Sequence, residues 1–296
     1  MKTSTLICAA GLAAWSILAS APLGALSLNF GEIKDTLSKV KQATSDVPVE
    51  EEIETGGMVM TNLLGAAPLV PDEEAQRYVN RVGMWVAQQT ERAGLPWRFG
   101  IIASDNVNAF AAPGGYVVIT RGLFMMLNNE AELAGVLGHE IGHVVARHHL
   151  LAMKKDARMG LLGDVVGKAA ENKGRDKKKV AAIMDAGTQL YARGLDREDE
   201  FAADRMGVVY AARAGYDPYA LLDVLTTLDS LKDDEPTIAL LTKTHPPFKD
   251  RLQLLDLAIE GRLDAFAAQP VLQDRLLAMQ LRLQPTQQQQ ADTKKK

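Results

Sequence analysis

The chain has 296 residues, a formal net charge of -4 at pH 7 and 47% hydrophobic residues. This length allows one or two domains with a substantial buried core, and we expect one. The acidic balance argues against a nucleic-acid-binding protein, because such proteins neutralise phosphates with an excess of lysine and arginine.

Residues 1–27 have the layout of a secretory signal peptide. A basic residue is followed by an apolar run over 6–18 and then by small residues, which is the order that export signals share. The run is too short for a membrane span. We expect cleavage after Ala25 or Ser27, export to the periplasm, and no transmembrane segment in the mature chain. Cys8, the only cysteine, would leave with the signal, so no disulfide and no thiolate metal ligand would remain.

Residues 28–54 form a predicted N-terminal extension. The spacing of apolar residues after it predicts a helix over 72–93. Two strands are predicted at 97–103 and 115–120. Residues 108–114 are predicted to be the turn between them, because Asn, Pro and Gly are typical of turns.

The most informative stretch of the chain is His139-Glu140-Ile141-Gly142-His143. Asn129 followed by Glu132 has the pattern of a capping box, and apolar residues follow at helical spacing, so a helix is predicted from 129 to about 155. On a helix the two histidines lie roughly 40° apart and about 6 Å along the axis, so both can bind one zinc ion. Glu140 lies beside them, where it can take a proton from a metal-bound water. The alternative is a helix with ordinary histidines, but the motif, the cap and the apolar spacing together favour the metal site.

A catalytic zinc ion needs a third protein ligand and an open position for water. His149 stands where the metzincin class of metallopeptidases places its third histidine. However, Ala146 replaces the glycine at which that chain turns, and alanine favours a continuing helix. On an uninterrupted helix His149 points about 80° away from His139 and cannot join the same site. We therefore interpret His148 and His149 as solvent-facing residues of a basic helix end.

Glu200 is the second candidate for the third ligand, on a helix predicted over 198–214. Glu200 and Asp204 lie one turn apart on one face of this helix. Glu200 could bind zinc while Asp204 hydrogen-bonds the far nitrogen of a ligating histidine and fixes its tautomer. Acidic helices usually present a solvated face, but together with the first motif we favour the metal-binding interpretation.

His245 precedes two prolines. A residue before proline is disfavoured in helical geometry, so His245 is predicted on an extended segment just before a new helix. Arg251 follows on that helix, where it is predicted to pair with Asp204 or Glu198.

The remaining segments carry less chemistry. Two weak helices are predicted between 161 and 193, within which 161–179 is either a mobile cover over the site or a plain loop and helix. Another helix is predicted to start at 217. Residues 261–283 form a C-terminal helical segment, and the polar residues 284–296 a disordered tail.

Four segments in this order, NAFAAPGGYVVIT, GHEIGHVVARHH, REDEFAAD and THPPFKDR, resemble the zinc metallopeptidase family that contains the HtpX heat-shock protease and the CAAX prenyl protease. Within that family the chain looks like the soluble periplasmic members. The resemblance covers 55–260, which we take as a zinc metallopeptidase domain. Many members have serine where this chain has Asp196, a change that should matter little to the metal.

The resemblance implies a mainly helical α+β fold of the zincin-like, gluzincin type, with a small β-hairpin or sheet beside the zinc-binding helix. It implies one zinc ion per chain and peptide-bond hydrolysis. The residues that match the family's site are His139, His143 and Glu200 as ligands and Glu140 as the catalytic base.

Two further features come from the same resemblance. A histidine at the position of His245 lies near the zinc, where it can stabilise the oxyanion of the reaction or, in a closed state, occupy the open coordination position. Asn108, Ala109 and Phe110 resemble a sheet edge that binds the substrate backbone, although a plain hairpin explains them equally well.

The family resemblance also implies a role in quality control of misfolded envelope or outer-membrane proteins. The expected partners are unfolded protein substrates and outer-membrane assembly proteins, with a location in the periplasm that includes the periphery of the outer membrane. The alternative is a chaperone-like binding protein for unfolded envelope proteins, with a non-catalytic zinc ion.

Overall fold

The computed structural model describes residues 47–155, 194–231, 236–245 and 248–284. Several predicted features lie outside the described residues: the signal peptide, most of the N-terminal extension, the segment 161–179 with the two weak helices around it, and nearly all of the polar tail. Within the described ranges, no helix has the length and apolar character that a membrane crossing requires.

The fold combines many helices with one small sheet. The first elements are α1 (Val49–Ala66), α2 (Glu73–Ala87), β1 (Arg98–Ile102), β2 (Ala109–Ala112), β3 (Tyr116–Thr120), α3 (Arg121–Met126) and α4 (Glu130–Val145). The later elements are α5 (148–155), α6 (Arg197–Arg213), α7 (Ala220–Asp229), α8 (Ala239–Thr244), α9 (Phe248–Ile259), a 3-10 turn (Asp264–Phe266) and α10 (Gln273–Leu283). This confirms the predicted mainly helical α+β fold.

The three strands lie in the order β1-β3-β2. β1 runs parallel to β3 and β2 runs antiparallel to it. The prediction of a turn over 108–114 is therefore wrong for its first half, which is strand β2. Gly114 and Gly115 have φ values of 80° and 103°, which residues with side chains rarely adopt, so the chain reverses there and the apolar residues before them pair with β3.

Helix α4 is buried along its whole length and approaches α6 very closely. A Cβ atom added at Gly207 of α6 would lie 2.7 Å from the backbone nitrogen of His139, and one added at Gly138 would lie 2.8 Å from the carbonyl oxygen of Gly207. Only glycine permits backbones to come this near. As a result, Glu200 and Asp204 of α6 face the two histidines of α4 directly.

The predicted start of α4 is confirmed and its predicted end is wrong. Oδ1 of Asn129 accepts a hydrogen bond from the backbone nitrogen of Glu132 at 2.9 Å, as in a capping box. The helix ends at Val145, Arg147 has a left-handed φ of 55°, and a separate helix runs over 148–155. The helix predicted to continue to about 155 is therefore broken.

A buried carboxylate, Glu52 of α1, explains where the break lies. It accepts hydrogen bonds from both terminal nitrogens of Arg92 at 2.8 Å and from the backbone nitrogen of Gly114 at 3.1 Å. Nε of Arg147 lies 3.1 Å from the same carboxylate. Arg92 also donates to the carbonyl oxygen of Val144 at 3.0 Å, in the last turn of α4. The left-handed conformation, which costs roughly 1–2 kcal/mol for a residue with a Cβ atom, is thus stabilised by contacts from an element distant in sequence.

Candidate metal centre

Side chains from two helices converge between α4 and α6. Nε2 of His139 lies 3.0 Å from Nε2 of His143. The carboxylate of Glu200 faces both, with Oε1 at 3.5 Å from Nε2 of His143 and Oε2 at 3.7 Å from Nε2 of His139. With His245 included, one potential ligand atom from each of four buried residues lies within 4.8 Å of the others.

These atoms fit a zinc ion, which proteins bind through imidazole nitrogens and carboxylate oxygens. Oε1 of Glu200 is buried and has no hydrogen-bond partner among the described residues, a costly arrangement for a carboxylate that a cation would relieve. Burial, followed by the neighbouring histidines, lowers the pKa of His143 well below its usual value, so its ring is neutral and can donate a lone pair. Burial alone would raise the pKa of Glu200, but His245 and Arg251 outweigh it and lower that pKa to about 2.

A second layer of charged groups supports the donor atoms. Oδ1 of Asp204, one turn after Glu200 on α6, lies 2.8 Å from Nδ1 of His139. Arg251 of α9 donates to Asp204 through Nε at 2.8 Å and Nη2 at 2.6 Å, and its Nη1 lies 3.2 Å from Oε2 of Glu200. Burial opposes ionisation of Asp204, but Arg251 holds its pKa well below the usual value. Of the two partners expected for Arg251, the structure brings it to Asp204.

Glu140 borders a partly open cleft beside the donor atoms, whose empty space, with its open solvent-filled part included, is about 380 Å³. It is 2% exposed, and its Oε2 has no hydrogen-bond partner in the described part of the chain. Burial raises the pKa of Glu140, although His245 and His139 oppose the shift. The rest of the wall is largely apolar and includes Leu123, Val136, Leu221, Val224, Leu225, Leu228, Leu241 and Phe248.

His245 caps the C-terminal end of α8 with φ -133° and ψ 66°, outside helical geometry as the prolines after it predict. Its Nδ1 lies 2.9 Å from Oε2 of Glu200. Burial would lower the pKa of His245, but the charge of Glu200 and the hydrogen bond to it raise that pKa. In this structure the ring therefore lies within the donor group itself.

The interpretation of His148 and His149 as solvent-facing residues is wrong. They are 4% and 9% exposed, because the break at Arg147 turns the chain back towards α4. Nδ1 of His148 lies 3.0 Å from Nδ1 of His143, and its Nε2 lies 3.5 Å from Oδ1 of Asp199. The His149 ring lies 5.4 Å from the His143 ring and outside the four-residue donor group. Burial lowers the pKa of His148 to about 4 and that of His149 to about 3, so both are neutral at pH 7.

Comparison with known proteins places this site in a family. A profile described as Peptidase family M48 matches residues 73–259. The chain belongs to peptidase family M48. The matched region contains both helices that carry the donor atoms, the sheet, His245 and Arg251. The match confirms the family that the four motifs predict. It likewise confirms the predicted zinc metallopeptidase class and the zinc cofactor of that class.

Several curated relatives carry protease names. The chain is 32% identical over 248 residues to the beta-barrel assembly-enhancing protease of Escherichia coli strain K12, covering 80% of this chain and 50% of that protein. It is 31% identical over 163 residues to the mitochondrial metalloendopeptidase OMA1 of Arabidopsis thaliana, covering 55% of this chain and 31% of that protein. It is 29% identical over 209 residues to the HtpX protease homologue of Thermococcus kodakarensis, covering 57% of this chain and 70% of that protein. The chain thus spans about half the length of the beta-barrel assembly-enhancing proteases that it matches.

The residues expected at a substrate edge lie in and beside β2, an outer strand of the M48 sheet. Ala109 lines the cavity with Glu140 and His139. Oδ1 of Asn108 accepts a hydrogen bond from the backbone nitrogen of Ala109 at 2.9 Å, while its Nδ2 is buried without a partner among the described residues. Phe110 packs in an apolar cluster with Met60 and also lines a second pocket together with Ala109, Glu140 and His245. The structure therefore brings both Ala109 and Phe110 to the site.

The structural roles of two residues, one beside the metal centre and one distant from it, are not predicted from the sequence. Glu52 lies in the predicted N-terminal extension, and no local pattern links it to the end of α4. For His148 the sequence predicts a place on the surface, because neither Ala146 nor Arg147 is a typical helix breaker. The only signal in the sequence is the run His148-His149 shortly after the zinc motif.

Proposed function

We propose that this M48 chain is a zinc-dependent endopeptidase of the periplasm that degrades misfolded envelope or outer-membrane proteins. The observation that carries the proposal is the convergence of His139, His143 and Glu200 on one point with Glu140 beside it. A structural zinc site needs no such additional carboxylate, whereas hydrolysis requires a base.

When bound, zinc would polarise the substrate carbonyl and make a water molecule more acidic. His139, His143 and Glu200 would hold it. Glu140 would take the proton of the attacking water and later deliver it to the leaving amine. Its raised pKa suits both steps, because a carboxyl group that titrates nearer neutrality accepts and releases a proton more readily. The desolvated cavity around Glu140 would strengthen the electrostatic interactions that stabilise the reacting groups.

His245 has two roles in the proposal. Beside the reacting carbonyl, its ring would donate a hydrogen bond to the oxyanion that forms during attack. In the arrangement seen here it instead contacts Glu200 at 2.9 Å, which suits a closed state in which it fills the position that water and substrate need. Activity would then require His245 to move away from Glu200.

Asp204 and Arg251 would orient the ligands. The carboxylate of Asp204 accepts the Nδ1 proton of His139, which directs Nε2 of that ring into the donor group. Arg251 fixes Asp204 through two hydrogen bonds. Its contact with Glu200 also compensates part of the negative charge of that residue.

The substrate would bind as an extended segment. β2 supplies a sheet edge, with Ala109 in the cavity wall, where backbone hydrogen bonds would give broad sequence tolerance. Asn108 and Phe110 belong to the same proposed edge. Broad tolerance suits an enzyme that removes misfolded proteins, which share unfolded backbone rather than one sequence.

The assignment to envelope quality control rests on the relatives and on the N-terminal sequence. Several relatives are named beta-barrel assembly-enhancing proteases, which supports unfolded outer-membrane proteins as substrates and their assembly proteins as partners. The signal-like residues 1–27 support export to the periplasm. A catalytic domain over 55–260 with a helical segment over 261–283 remains our proposal for the domain organisation.

The decisive experiment compares the wild-type chain with Glu140→Gln. The variant should retain about one zinc ion per chain, measured by metal analysis, and lose casein cleavage. Cleavage that survives the substitution would exclude Glu140 as the base. A wild-type protein that binds zinc and unfolded outer-membrane protein yet cleaves neither that protein nor casein would instead indicate the chaperone-like alternative.

A further inference from the structure

We propose that His148 is a positioning residue of the metal centre: it accepts the Nδ1 proton of His143 and so holds the His143 ring with Nε2 directed at the metal. The inference rests on the zinc site proposed above. It concerns a residue outside the donor group, since His148 is not among the four residues whose ligand atoms converge.

The proton positions follow from the geometry. Nε2 of His143 faces Nε2 of His139 at 3.0 Å and Glu200 at 3.5 Å, so Nε2 is the atom that would donate its lone pair to zinc. A neutral imidazole has one proton, which must then sit on Nδ1. Nδ1 of His143 lies 3.0 Å from Nδ1 of His148, at hydrogen-bond distance. His148 must therefore be the acceptor there and carry its own proton on Nε2.

The contact made by Nε2, the other ring nitrogen of His148, is consistent with this assignment of protons. Its Nε2 lies 3.5 Å from Oδ1 of Asp199, so the proton that the assignment places on Nε2 faces a carboxylate. The opposite tautomer of His148 would direct two N–H groups at each other and a lone pair at Asp199. Only one arrangement of protons satisfies the contacts from His143 through His148 to Asp199.

The two zinc-binding histidines are consequently supported by different chemistry. His139 donates its Nδ1 proton directly to a carboxylate, Asp204, at 2.8 Å. His143 donates instead to the neutral imidazole of His148, and the carboxylate of Asp199 contacts only the far nitrogen of that imidazole. A charged acceptor increases the basicity of a ligating ring more than a neutral one does, so His148 would mainly orient its partner.

The fold holds His148 rigidly in this position. On an unbroken helix, a residue five positions after His143 would lie about 140° around the axis and could not face its Nδ1. The left-handed Arg147 turns the chain, and Glu52 contacts that arginine at 3.1 Å. The His148 side chain is then 4% exposed, so its ring is confined by packing.

The test uses a pair of variants in the full chain. In His148→Asn, the side-chain oxygen can accept a hydrogen bond near the position of Nδ1, whereas His148→Leu fills a similar volume without an acceptor. The dissociation constant for zinc is measured by competition with a chromogenic chelator. We expect His148→Leu to weaken zinc binding roughly 10- to 100-fold, and His148→Asn to restore most of that loss.

Two results of this comparison would overturn the proposal. One is that His148→Leu binds zinc as tightly as the wild-type chain. The other is that His148→Asn loses as much affinity as His148→Leu, because the effect would then reflect packing rather than hydrogen bonding. Thermal unfolding of the metal-free variants shows whether each is folded.

A spectroscopic measurement covers the case in which His148→Leu does not fold. Nitrogen-15 NMR of the zinc-loaded wild-type chain, labelled at histidine, should show His143 protonated on Nδ1 and His148 protonated on Nε2. A proton on Nδ1 of His148 would contradict the assignment. Neither readout depends on cleavage, so a protein that binds zinc in this way but cleaves nothing would refute the peptidase proposal and leave this one intact.

Discussion

The carboxylate of Glu52, on the first described helix, lies 3.1 Å from Nε of Arg147, the left-handed residue at which the zinc-binding helix is interrupted. The same carboxylate binds Arg92 through two hydrogen bonds of 2.8 Å and the backbone of Gly114. One buried group thus joins α1, the β2–β3 turn and the segment that carries His148. The geometry around the metal centre depends on a helix far from it in sequence.

Glu52→Ala should destabilise the protein by roughly 3–5 kcal/mol, because two largely buried arginines lose their common partner. The free energy of unfolding is measured by urea titration of the metal-free chain. Glu73→Ala is the matched control, since Glu73 pairs with Arg77 on the surface at 2.9 Å and such pairs contribute little. Equal losses for the two variants would show that the Glu52 contacts do not stabilise the fold.

Gly207→Ala should separate α4 from α6 and weaken the metal site. The added Cβ atom would lie 2.7 Å from the backbone nitrogen of His139, and a backbone atom cannot yield as a flexible side chain does. The shift moves Glu200 relative to the histidines, so we expect lower zinc affinity together with lower stability. Gly65→Ala is the control, because nothing lies within 4 Å of a Cβ atom there and alanine is favoured in a helix. Unchanged zinc affinity in Gly207→Ala would contradict this account.

Glu200→Ala should abolish stoichiometric zinc binding, whereas His149→Ala should retain it. Glu200 is the only carboxylate in the four-residue donor group, while the His149 ring belongs to neither the donor group nor its Asp204 support. Zinc content is measured after dialysis against metal-free buffer. The reverse result, with His149 required and Glu200 dispensable, would assign the site to the metzincin arrangement.

Local sequence patterns predict the metal-binding residues well, but they do not predict the break after α4 or strand β2. A helical period, a capping box and the spacing of His139 and His143 are short-range features, and the contact between Asp204 and His139 follows from one turn of helix beyond Glu200. The break at Arg147 could not be predicted in this way, because a carboxylate in α1 stabilises it. Strand β2 is not predicted for a related reason: three of its four residues are alanines, which are depleted in strands, and the segment forms a strand by pairing with β3.

His148 should also make the stability of the metal-free protein depend on pH. Burial lowers its pKa from 6.5 to about 4 in the folded chain, so between these values the unfolded chain binds more protons. The stability associated with neutral His148 is therefore present above pH 6.5 and lost as the pH falls towards about 4.

The variant His148→Asn removes this titration. The free energy of unfolding of the variant minus that of the wild-type chain should consequently rise as the pH is lowered, measured by urea titration with a chelator at several pH values. Asp199, whose pKa is raised to about 6 by burial and neighbouring acids, contributes with the opposite sign in both proteins. A difference that stays constant with pH would show that His148 is not buried as a neutral ring.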